Sequence, residues 1–111
     1  DVKLWVNGDL KQDFNTDDMA HSIKTCISWI SHTHTMEPGD ILATGTNHRG
    51  LNPFHDGDIV ELEVAGLGRL GISVEDPLKR TWERIVRSDR TDKGLEPPHA
   101  RQLTGKYGPN D

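Results

Sequence analysis

Several side chains in this sequence have types and spacings that could do chemistry. Glu61-Leu62-Glu63 sets two carboxylates two residues apart. On an extended strand they project from one face and could jointly chelate a hard divalent cation. The same pattern describes a solvated strand face with an apolar opposite side, and that is the expectation. His32 and His34 share one face of Ser31-His32-Thr33-His34-Thr35, and with His48 or His55 they could offer imidazoles to a transition metal. Their spacing fits no zinc pattern, so a polar connection is expected. Arg49 could hold a carboxylate through its planar fork, but reads as an exposed loop residue. His55 has a side chain suited to proton exchange, and its place in a turn predicts an exposed ring. Cys26 falls among the apolar positions of a short helix, and no Gly-x-Ser-x-Gly elbow occurs, so serine- or cysteine-type hydrolysis is not expected.

These groups need elements to hold them. Val2, Leu4 and Val6 alternate with Lys3 and Trp5, and Asn7-Gly8 separates them from Leu10 to Phe14, which predicts a β-hairpin with a primed turn. Ser22 is an N-cap for a helix over 22–31, with Ile23, Cys26, Ile27 and Ile30 at helical spacing. Glu37-Pro38-Gly39-Asp40-Ile41-Leu42 and His55-Asp56-Gly57-Asp58-Ile59-Val60 resemble each other. In each, Gly takes a positive φ, Asp bonds nearby backbone, and a strand is expected to begin. Gly66-Leu67-Gly68 reverses the chain between Ile59–Val64 and Arg69–Val74 as a second hairpin. Asp76 and Pro77 start a helix over roughly 77–87, with Leu78, Trp82, Ile85 and Val86 on one face. Beyond Ser88 the glycines and prolines predict an extended arm.

A chain of 111 residues accommodates one domain with a modest core. Residues 1–78 hold 5 Lys/Arg against 13 Asp/Glu, an acidic body of −8, and residues 79–111 hold 8 against 5, a tail of +3. That balance argues against a general nucleic-acid binder. The tail is expected to pack on its own acidic body or on a partner subunit. One cysteine allows no internal disulfide, which suits a reducing, cytoplasmic setting. No apolar run is long enough for a membrane span, and Asp1-Val2-Lys3-Leu4 is not a signal peptide.

Five phrases carry a resemblance. They are Val6-Asn7-Gly8-Asp9-Leu10-Lys11-Gln12, Asn15-Thr16-Asp17-Asp18-Met19, Met36 to Thr46, Asp56-Gly57-Asp58-Ile59-Val60 and Gly66-Leu67-Gly68. Their order over residues 6–74 resembles the C-terminal portion of the catalytic domain in the fumarylacetoacetate hydrolase family. The resemblance implies a mixed β-roll of which residues 1–78 form part, and the residue pattern makes the whole mainly β with short helices, 79–111 being a C-terminal helix and polar arm. It implies an oxo-acid substrate, Mg²⁺ (or Mn²⁺ or Ca²⁺) and enolate stabilisation in catabolic enzymes, with a homodimer or a complementary N-terminal segment as partner. Hydrolysis of a C–C bond in a diketo or oxo-acid is the expected reaction, with decarboxylation or isomerisation as the alternative.

The family's metal-binding acids, a Glu-x-Glu pair and an Asp, lie N-terminal to the opening hairpin, so this chain is expected to hold no metal ligand of its own. Glu61-Leu62-Glu63 falls in the wrong strand for that pair. Gly45-Thr46 matches the turn whose Thr contacts the substrate carboxylate in the family, a role that a hydroxyl and backbone N–H groups can fill. Asn47 and His48-Arg49-Gly50 depart from the family's Pro and small residues. The segment is therefore expected to be inactive alone, as part of a longer enzyme, a subunit of a split enzyme or a non-catalytic binding module.

Overall fold

The computed structural model describes residues 1–47, 50, 52–96, 99–105 and 108–109. Strands β1 (Val2–Val6) and β2 (Asp9–Phe14) form the expected first hairpin. Asn7 and Gly8 have φ of 52° and 83°, the positive pair that a type I′ turn requires. Strand β3 (Ile59–Val64) and strand β4 (Gly68–Ser73) form the second hairpin. Strand β3 pairs antiparallel with β1, so the sheet order is β2-β1-β3-β4. Every pairing between described residues is antiparallel.

The strand register separates two faces. Val2, Leu4 and Val6 lie opposite Val64, Leu62 and Val60, and Leu62 lies opposite Leu70, so one face is apolar across three strands. Among the described residues only Val2, Val6 and Val60 are buried hydrophobics, while Leu70 is 62% and Ile72 54% exposed. The radius of gyration is 17.8 Å, against about 13 Å for a compact chain of this length. The sheet therefore presents an apolar face that the described residues do not cover.

Helix α1 (Ile23–Ile30) matches the expected span, and Ser22 Oγ accepts the Thr25 N–H at its start. No residue of α1 is buried. The first Gly-Asp phrase makes its expected turn, with Gly39 at φ 101° and Asp40 Oδ2 accepting the Glu37 N–H. The strand expected after it does not form. Residues 40–47 have no ladder partner among the described residues, and Ile41 is 95% exposed.

The expected helix over 77–87 does not form. Asp76 turns its carboxylate onto the N–H groups of Leu78 and Arg80, a local bond that competes with helical pairing. Lys79 then takes φ 49°, which ends a right-handed turn. The chain continues as strand β5 (Thr81–Trp82), which pairs with strand β6 (Gln102–Thr104). The helix appears later, as α2 (Arg87–Asp92), so the region beyond Ser88 is not the uninterrupted extended arm expected of it. Arg90 of α2 is buried and pairs with Glu83, which also holds Arg101. The Arg101 guanidinium beside Glu83 holds that carboxyl below its usual range.

Candidate functional site

Gly45 and Thr46 lie in an exposed loop, with Gly45 at φ 94°. Among the described residues nothing hydrogen-bonds to the Thr46 hydroxyl. The residues after the turn are well anchored. The Asn47 carbonyl accepts from Gln12 Nε2 at 3.1 Å. Gly50, at φ 72°, lies so close to β2 that a Cβ there would sit 1.9 Å from the Lys11 carbonyl oxygen. The loop is thus laid along the edge strand β2 by two contacts, one a side-chain bond and one a close backbone approach that only glycine permits. His48 and Arg49, which depart from the family's residues, lie outside the described residues. A cavity of about 420 Å³ opens just upstream, lined by Ile30, His34, Met36, Asp40 and Leu42 among others.

The carboxylates of Glu61 and Glu63 do have a partner. Arg69, across the hairpin, donates to Glu63 at 3.1 Å and to Glu61 at 3.2 Å, and its guanidinium lies 4.2 Å from the Trp5 ring centroid. The pair forms the solvated strand face expected of it, with both carboxylates bridged by one cation. The histidines likewise have separate local roles. His32 Nδ1 contacts the Ser28 carbonyl at 2.6 Å and His34 Nδ1 lies 3.3 Å from Thr33 Oγ1, which makes that stretch the polar connection anticipated. No group of three His, Cys, Asp or Glu side chains among the described residues could hold a metal ion.

His55 is the exception to its expectation. It is half-buried rather than exposed, its ring stacks on Trp82 at 6.3 Å, and its Nε2 accepts the Trp82 N–H at 3.0 Å. That bond requires a lone pair on Nε2, so it selects the tautomer with its proton on Nδ1.

A buried carboxylate that the sequence did not single out as a site residue lies close by His55. Asp58 is buried, and its carboxylate accepts from Asn7 Nδ2 at 2.9 Å, Arg84 Nη2 at 2.6 Å and the His55 N–H at 2.8 Å. Burial alone would raise its pKa, but these three donors outweigh it and hold it at about 2. Asn7 Oδ1 accepts the Ile59 N–H in return. Beside it, Lys79 and the Asp76 N–H bind Asp56 and lower its pKa. The basic tail therefore packs on its own acidic body. Both aspartates stand in the Asp56-Gly57-Asp58 phrase and were visible as turn residues, whereas nothing local in the sequence points from Asp58 to Arg84.

Comparison with known proteins agrees with the quoted phrases. The chain matches the pattern described as "Fumarylacetoacetate (FAA) hydrolase C-terminal" over residues 1–75. It is 45% identical over 69 residues to the 4-hydroxyphenylacetate degradation bifunctional isomerase/decarboxylase of Salmonella dublin, covering 62% of this chain and 16% of that protein. It is 41% identical over 78 residues to the human mitochondrial oxaloacetate tautomerase, covering 68% of this chain and 35% of that protein. The chain thus spans roughly a sixth to a third of these relatives. No solved structure gives a significant match. On the strength of a match that takes in both hairpins, α1 and the Gly45-Thr46 loop, the chain belongs to the fumarylacetoacetate hydrolase family, a family of enzymes.

Proposed function

We propose that this chain supplies the substrate-carboxylate side of an enzyme acting on a small oxo-acid, with Gly45 and Thr46 as the binding turn. The observation that carries the reading is the anchored loop: Asn47 and Gly50 tie it to β2, and the Thr46 hydroxyl is left exposed. A hydroxyl donor beside backbone N–H groups at a glycine turn suits a carboxylate. Fixing that carboxylate would orient the adjacent carbonyl, the group at which enolate chemistry occurs.

The relatives' names, isomerase/decarboxylase and tautomerase, favour decarboxylation or keto–enol isomerisation over hydrolysis of a C–C bond. All three reactions pass through an enolate-like species. A divalent cation such as Mg²⁺, Mn²⁺ or Ca²⁺ would stabilise it as a Lewis acid. The described residues here do not fit such an ion, since Glu61 and Glu63 are committed to Arg69. Such an ion would be held by residues outside this segment, and the sheet would form part of a mixed β-roll whose apolar face is covered by the rest of the protein or by a second subunit.

Thr46→Val in the complete protein tests the site. The loss of a hydrogen bond to a charged group predicts an affinity for oxaloacetate lower by about 10-fold or more, with Mg²⁺ affinity unchanged. Equal oxaloacetate affinity in variant and parent removes Thr46 from the site.

A further inference from the structure

The family pattern ends at residue 75, yet the residues just beyond it bond to the matched domain at four points. The Asp76 N–H donates to Asp56 Oδ1 at 3.0 Å and Lys79 Nζ to Asp56 Oδ2 at 2.5 Å. The Trp82 N–H donates to His55 Nε2, and Arg84 Nη2 to Asp58 Oδ1. All four acceptors lie in one turn, residues 55–58. Lys79 holds a positive φ along this route, which costs a non-glycine residue about 1 kcal/mol or more. The ion pair with Asp56 sits at that residue.

The turn passes the restraint on. Arg84 and Asn7 donate to the same oxygen of Asp58, and Asn7 is the first residue of the β1–β2 turn. Asn7 is tied to β3 through the Ile59 carbonyl and N–H, but the β2 side of that hairpin is less regular. Its register shifts between Leu4 and Trp5, so the ladder does not run unbroken to the turn, and β2 is an edge strand. Strand β2 also meets Asn47, through Gln12 to its carbonyl, and Gly50, through its close approach to Lys11. A shift of β2 moves the residue that comes after Thr46.

We propose that residues 76–84 form a clasp outside the family domain, and that Arg84 is a positioning residue: through Asp58 and Asn7 it fixes the hairpin that carries the Gly45-Thr46 turn. The effect on ligand binding rests on the proposed role of Thr46; the mechanical linkage does not. Deleting Arg84 leaves Asp58 buried with one charged donor fewer, so the turn end of the hairpin is the first region to loosen.

The test compares the complete protein with Arg84→Ala and Arg84→Lys. Amide exchange is followed at Asn7, His55 and Ile59, NMR shifts at Gly45 and Thr46, and binding of oxaloacetate in the presence of Mg²⁺. Arg84→Ala is expected to speed exchange at the three amides by about tenfold, the loss of one charge-assisted bond. It also displaces the Gly45 and Thr46 signals, weakens oxaloacetate binding several-fold and leaves the middle of the β1–β3 ladder protected. Arg84→Lys restores most of each effect. Unchanged Gly45 and Thr46 signals overturn the proposal, as does a uniform rise in exchange across the sheet. If Arg84→Ala does not fold, Arg84→Gln carries the same comparison. If the signals move as expected but the parent does not bind oxaloacetate, the clasp stands and the role given to Thr46 falls.

Discussion

Replacing Asp58 by Asn should make the stability of this protein less sensitive to acid, and the size of the change follows from the bonds around one carboxylate. Asp58 falls from an ordinary 3.8 to about 2 in the folded chain, with burial opposing the shift and Arg84, Asn7 and the His55 N–H producing it. A depressed pKa means stability that is present above the unfolded value and lost as pH falls toward the folded one. A shift of just under two units corresponds to about 2.4 kcal/mol at pH 7, of which about 1.3 kcal/mol remains at pH 3. Asn keeps the shape but not the charge, so the Asp58→Asn variant loses this pH-dependent contribution. Urea unfolding of the complete protein and the variant at pH 7 and pH 3, monitored by Trp fluorescence, measures the difference directly. The gap between the two proteins should narrow by about 1 kcal/mol on acidification. A gap of equal size at both pH values would refute the assignment of a depressed, multiply bonded carboxylate at Asp58.

Two further substitutions probe the loop and the strand face. Gly50→Ala places a Cβ against the Lys11 carbonyl at a φ of 72°, and should cost about 1–3 kcal/mol in a urea melt. A neutral result would mean that the loop does not lie against β2. Arg69→Ala removes two solvent-accessible ion pairs and the contact with Trp5, and should leave the urea midpoint nearly unchanged, because exposed ion pairs add little stability. Titration with Mg²⁺ should give the same affinity in this variant and the parent. A marked change would restore Glu61 and Glu63 as candidate metal ligands.

The parts of this fold that could be read from sequence are those whose cause is local. Asn7-Gly8 fixes a primed turn by the φ values it tolerates, Gly66-Leu67-Gly68 reverses the second hairpin, and Ser22 caps a helix that ends within a residue of its expected limit. The helix over 77–87 fails on the same scale. The apolar spacing of Leu78, Trp82, Ile85 and Val86 is real, but the Asp76 carboxylate captures the N–H groups of Leu78 and Arg80, and Leu78 is left 61% exposed. Trp82, Ile85 and Val86 are part-buried without forming a helix, Trp82 against His55, so the stripe does not dock as one helical face, and short helices draw most of their stability from such packing. The first Gly-Asp phrase fails for a related reason. It makes the same turn as the second, but residues 40–42 meet no neighbouring strand among the described residues, whereas Ile59–Val64 lies between β1 and β4.

The proposed site divides along the same line. Gly45-Thr46 is legible because a family phrase leads into it, but what would make it a site is its support, and each support spans a long stretch of chain. Gln12 reaches Asn47 across 35 residues, Asn7 reaches Asp58 across 51, and Arg84 reaches Asp58 across 26. Periodicity and turn chemistry carry no information about contacts at that separation. The same limit explains His55: its turn is local and was readable, while its burial comes from Trp82, 27 residues later. Arg84 sits in a segment whose local signals suggested a helix, and Asp58 in a phrase whose local signals suggested only a turn. Their pairing closes the path from the C-terminal extension to the β1–β2 hairpin, and it is there, rather than in the Glu61-Leu62-Glu63 strand face, that charge is used to hold structure in place.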